Sequence, residues 1–145
     1  MFIDGTYLVR DGSPFHSVAD LDKAGVRIAV GRGAAYDLAL TRQLKAAVLV
    51  RAESSAGAVE VFLRDNLDTA AGVRQMLVDA QKTTPGLRVL PDSFTRIEQA
   101  MATTKGRPAG ARYLSAFIED LKVSGFVRAA LDRAGQSGAV VAPPA

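Results

Sequence analysis

Cysteine and tryptophan are missing from this chain, and histidine occurs once, at His16. Without cysteine there is no disulfide and no thiolate metal site. A lone histidine cannot build a multi-histidine metal site or a Ser-His-Asp set with spare members, and His16 reads as a loop residue. No apolar run reaches the roughly 20 residues of a membrane-spanning helix. Charge of one sign never accumulates: 18 basic and 15 acidic residues are scattered and leave +3 overall. Such a scatter reads as a solvated surface, so no nucleic-acid partner is expected. The opening "MFIDGTYLVRDGSP" lacks the basic start and apolar core of a secretory signal. If Met1 is the true start, that favours the cytoplasm.

What is present is a core-forming composition, 48% hydrophobic over 145 residues, the size of one ordinary domain. Strand-like and helix-like periods alternate along it. "TYLVR" (6–10) reads as a strand closed by the turn "DGSP", and Ser17 caps a short helix ending at Gly25. Strands are expected at 26–30, 46–52, 67–72, 87–91 and 95–104. Helices are expected at 34–45, with Leu38 and Leu44 buried, and at 54–66, with Ser54 or Ser55 as cap and Val59, Phe62 and Leu63 on one face. Further helices are expected at 73–82, 107–125 and 126–135. The tail "GQSGAVVAPPA" (136–145) is expected to be flexible. This alternation predicts an α/β fold with a doubly wound, mainly parallel sheet.

"SVADLDKAGVRIAVGRGAAYDL" resembles the start of the second lobe in family 3 solute-binding proteins of ABC importers, the periplasmic amino-acid receptors. Ser17, Val18, Asp20, Leu21, Gly25, Val26 and Val30 carry the likeness. "AVEVFLRDNLDTAAGV", with Asp68, resembles the family's next helix, turn and short strand. "AFIEDLKVSGFVRAAL" resembles its closing helix pair. The likeness runs from Tyr7 to Gly135. It implies a periplasmic-binding-protein type 2 fold with a complete second lobe over 11–94. Residues 1–10 and 95–135 would be hinge strands and C-terminal helices of a first lobe that lacks most of its N-terminal part. It also implies a periplasmic location and the importer's membrane subunits as partners.

The turn Gly31-Arg32-Gly33 leads from a strand into a helix. The backbone N–H groups of Gly33, Ala34 and Ala35 would sit at the positive end of that helix dipole. In the resembled family this point receives the ligand carboxylate, helped by hydroxyl side chains, but here those positions are Ala34 and Ala35. Residues alone also allow a tight turn that needs glycine. Tyr36 is either a pocket wall or packing. The family's acid for a ligand ammonium falls on Val73, followed by Arg74. An ammonium would then be left unpaired, so an anionic, carboxylate-bearing solute is favoured, with Arg74 beside it or exposed on its helix. Gln99, on the second hinge strand, either reaches the cleft or points outward.

Three functions are compatible with these residues. The first is a solute-binding component, or a truncated remnant of one, binding a small anionic or amino-acid-like solute weakly if at all. The second is an enzyme resembling cyclohexadienyl dehydratase, whose general acid would have to be Glu98 or Asp37. The third is an oligomeric interaction module. No cofactor is implied. Phe62, Tyr113, Phe117 and Phe126 read as packing residues. In the resembled receptors the last two helices cover a sheet that this chain mostly lacks, so an apolar patch and a homodimer are expected.

Overall fold

The computed structural model describes residues 1–145. The strands are β1 Phe2–Arg10, β2 Arg27–Gly31, β3 Val48–Ala52, β4 Thr69–Val73, β5 Leu87–Val89, β6 Thr95–Glu98 and β7 Ala139–Val140. The α-helices are α1 Ala35–Gln43, α2 Ser55–Arg64, α3 Arg74–Thr83, α4 Pro108–Val123 and α5 Phe126–Arg133. The chain divides into two compact units, Asp4–Ile97 and Met1–Ile3 with Glu98–Ala145.

In the 4–97 unit the strand order is β3-β2-β4-β1-β5. β2 runs parallel to β3 and β4, while β1 runs antiparallel to β4 and β5. This is the expected doubly wound sheet, with β1 as an antiparallel strand inside it. The period-2 alternation sorts the core onto two faces. Tyr7, Val9, Ile28, Val30 and Ala71 meet Tyr36 and Leu40 of α1 on one face. Leu8, Ala29 and Ala70 meet Ala58 and Phe62 of α2 and Leu77 of α3 on the other. Both faces are covered, so the central strands read as nearly continuous apolar runs.

Several expectations are corrected. Leu38 is 50% exposed. Its helix turns about 100° per residue, so with Tyr36 and Leu40 facing the sheet Leu38 faces solvent. Leu63 likewise turns outward, because Ala58 and Phe62 hold the buried stripe of α2. The predicted helix after Ser17 is a single 3-10 turn, Val18–Leu21. The predicted strand 95–104 stops at Glu98, since "AMATT" has no alternating apolar face to keep it paired. β1 begins four residues earlier than predicted, at Phe2. The tail, expected to be flexible, is tied down: β7 pairs antiparallel with Phe2 and Ile3, Ala139 is buried, and Lys122 Nζ donates to the Pro143 carbonyl at 2.7 Å.

In the other unit, Gly125 at φ +75° turns the chain between α4 and α5. No residue of α4 is buried. Tyr113, Phe117 and Phe126, expected to pack, are 73%, 42% and 54% exposed. They are apolar surface because no element covers that side of the helices.

Candidate functional site

The chain goes from β2 to β3 on one side, then crosses back to β4 on the other. In an open α/β sheet such a reversal leaves a crevice at the carboxyl ends of the two diverging strands, where ligands bind. Ile28 lies opposite Thr69 and Ala29 opposite Ala70, so β2 and β4 end side by side. Gly31-Arg32-Gly33 stands at the end of β2 and Val73-Arg74 at the end of β4. The fold thus brings the predicted glycine turn and the candidate residues Val73 and Arg74 to one edge, where α1 and α3 begin.

The glycine turn is built from two different constraints. A Cβ on Gly31 would stand 2.7 Å from the Ser55 backbone nitrogen and 2.8 Å from its Cα. Gly31 is therefore glycine because the start of α2 presses on it. Gly33 has open space around it but adopts φ +73°, the left-handed region that favours glycine.

The donors at this turn are fewer than expected. The Gly33 N–H donates to Asp37 Oδ2 at 2.9 Å, and the Ala34 N–H to the Gly31 carbonyl at 3.3 Å. Asp37 is buried, with its side chain 4% exposed, and Arg51 Nε donates to its two oxygens at 3.1 and 3.3 Å. Arg51 also donates to Thr41 Oγ1 at 2.7 Å. An acid in the first turn thus stands at the positive end of the helix and occupies the Gly33 amide. The predicted cradle of Gly33, Ala34 and Ala35 is corrected: the amides left without a partner are those of Ala35, Tyr36 and Asp37.

Of the side chains, Arg32 is exposed and forms no ion pair, while its backbone N–H donates to the Ala52 carbonyl at 2.9 Å. Tyr36 is 2% exposed and donates to Ser55 Oγ at 2.7 Å, so it is a core residue joining α1 to α2, not an open wall. Val73 is half-buried as the N-cap of α3 and pairs with Gly5. Neither α2 nor α3 has an acid in its first turn. The Arg74 guanidinium donates to the carbonyls of Leu90, Pro91 and Asp92 at 2.9–3.0 Å. It ties the loop after β5 to the start of α3, neither holding an open anion position nor lying loose. Gln99 lies in the other unit, where its N–H donates to the Met1 carbonyl at 2.8 Å and its own carbonyl accepts from the Met1 amine.

The sequence reading named Ser55 only as a candidate helix cap and did not single out Arg51 or Asp92. Arg51 is the charged residue in the otherwise apolar run "AAVLVRA", the one local mark of its contact with Asp37. Asp92 accepts the Val18 N–H at 3.0 and 3.1 Å, and nothing local in "LPDSF" points to it. A separate hollow of about 510 Å³, lined by Arg10, Ser13, Phe15, Asn66 and Asp68 among others, borders the amino end of β4, at the opposite edge of the sheet.

No family model and no curated protein matches the chain. Solved structures do. A binding component of an ABC transporter from Wolinella succinogenes, complexed with lysine, matches with a TM-score of 0.79 and 24% identity over 92% of this chain and 59% of that one. The ancestral amino-acid-binding protein AncCDT-1, a precursor of cyclohexadienyl dehydratase, matches at 0.73 and 21% over 92% and 58%. The cysteine-binding protein of Campylobacter jejuni matches at 0.73 and 17% over 92% and 53%. The chain has the fold of these amino-acid-binding components and spans somewhat more than half of their length.

Proposed function

We propose that this chain is a solute-binding component of the ABC-importer type, presenting one face of a binding site at the β2–β4 switch point. Its ligand is a small carboxylate-bearing anion. The observation that carries this reading is the pairing of three unpartnered amides, Ala35 to Asp37, with the unpaired Arg32 at one switch point. The two acid positions the site could have used are unavailable to an ammonium: Asp37 is held by Arg51, and the position at the end of β4 is Val73. That favours a carboxylate lacking an α-amine over a free amino acid. Most solute burial in two-lobed receptors requires both faces, so binding by this chain alone is weak. A periplasmic location, docking on importer membrane subunits and association with a second copy belong to the same reading.

The test is an amide NMR titration of the full chain with millimolar carboxylates, with and without an α-amine. Shifts centred on Arg32 and Ala35–Asp37, larger for the amine-free compounds and lost in Arg32→Ala, are expected. No shift with any carboxylate overturns the site. Equal shifts with the α-amino acids overturn the preference for an amine-free ligand. The dehydratase reading needs a free general acid, and the engagement of Asp37 by Arg51, Thr41 and the Gly33 amide weighs against that residue.

A further inference from the structure

Ten large hydrophobic side chains are exposed, and seven of them (Met1, Met101, Tyr113, Phe117, Val123, Phe126 and Val140) lie in the unit that holds α4 and α5. On α4, Tyr113, Ala116, Phe117 and Asp120 recur at three- and four-residue spacing and so share one face. All four are exposed. The Tyr113 and Phe117 rings stack 6.2 Å apart at 6°, which makes a flat, preformed apolar ridge. The helix is also polarised. Arg107 and Arg112 lie at its N-terminal end with no acid among them, while Glu119 and Asp120 lie toward its C-terminal end. Glu119 is paired with Lys122, and α5 pairs Arg128 with Asp132, but Arg112 and Asp120 have no ion-pair partner.

A surface that carries both halves of its own contacts is what a two-fold interface requires. Running a second α4 antiparallel, with the axis between Ala116 and Phe117, supplies those contacts. Arg112 then lies about 7 Å from the axis along the helix and Asp120 about 5 Å on the other side, at 1.5 Å rise per residue. Each guanidinium comes within reach of the other copy's carboxylate, and the two Phe117 rings meet each other across the axis, beside the two small Ala116 side chains. A parallel arrangement would instead set arginine against arginine.

We infer that the chain dimerises through antiparallel packing of α4, with Arg112 and Asp120 forming reciprocal ion pairs around a Tyr113–Ala116–Phe117 core. This deepens the self-association that belongs to the proposed function and is independent of any solute. The test is sedimentation equilibrium of the full chain across the micromolar range, for the wild type, Arg112→Asp, Asp120→Arg and the double reversal. The wild type is expected to dimerise. Each single reversal sets like charges together and weakens the dimer about tenfold or more, and the double reversal restores it. Circular dichroism of these exposed-site variants confirms folding. A wild type that stays monomeric overturns self-association altogether. A dimer indifferent to the single reversals, or one that the double reversal fails to rescue, overturns this interface while leaving self-association standing.

Discussion

Gly31 and Gly33 flank one arginine and respond differently to the same substitution. Gly33→Ala meets no neighbour and is expected to lose only the backbone strain of a left-handed residue, about 1–2 kcal/mol. Gly31→Ala pushes a methyl into the Ser55 backbone, which a flexible side chain cannot relieve. It is expected to cost about 3 kcal/mol, the upper range for overpacking, and to displace the start of α2. Urea unfolding of both variants checks the order, and equal losses would contradict it. Asp37→Ala is expected to remove about 2–3 kcal/mol, because a buried carboxylate with charged and backbone partners is lost together with its place at the helix start. Arg32→Ala, at an exposed side chain without a partner, is expected to leave stability unchanged in the same measurement. Gly33 was legible from its place before a helix. The need for glycine at Gly31 was not, because Ser55, 24 residues later in sequence, sets it through packing.

Elements in this fold are joined by carboxylates that cap amides of distant turns. Asp22 accepts the N–H groups of Lys45, Ala46 and Ala47, which lead into β3. Those backbone bonds hold its pKa below the usual 3.8. Asp20 is likewise lowered by the His16 and Ser17 amides at the 3-10 turn. Both groups have a depressed folded pKa, so their contribution is fully present above the unfolded value near 3.8. It is lost as the pH falls through the lower folded value. The melting temperature is therefore expected to hold from neutral pH down to about 4 and to drop below that. Asp22→Asn should melt lower at pH 6 and fall less steeply in acid, and a variant with the wild-type acid profile would show that Asp22 is not responsible. At the start of α2, Ser54 accepts the Gly57 N–H at 3.0 Å, so Ser54→Ala is expected to lose about 1 kcal/mol. From "ESSAG" the sequence narrowed that cap to Ser54 or Ser55. The Asp22 contacts were not legible, since they span more than twenty residues.

At the scale of the whole molecule, the apolar burial is uneven. The 4–97 unit contains both core clusters, whereas α4 in the other unit has no fully buried residue. Residues 4–97 expressed alone are expected to unfold in one cooperative thermal transition with native-like circular dichroism. A molten fragment without near-ultraviolet signal would contradict that. What the sequence by itself determined is the alternation of strands and helices, and through it the doubly wound sheet. Period-2 and period-3.6 patterns such as "VRIAV" and "SAGAVEVFLR" are local and survive without knowledge of their neighbours. The Gly-Arg-Gly turn and its place before a helix were local in the same way. The tertiary structure alone decided which donors that turn keeps and which residues face water. Asp37 reaches the Gly33 amide only because Arg51, from the adjacent strand, compensates its burial. Arg74 turns to three carbonyls because the loop after β5 returns beside α3. Tyr113 and Phe117 read as core by spacing, yet they are surface, because burial depends on a covering partner that helical spacing cannot supply.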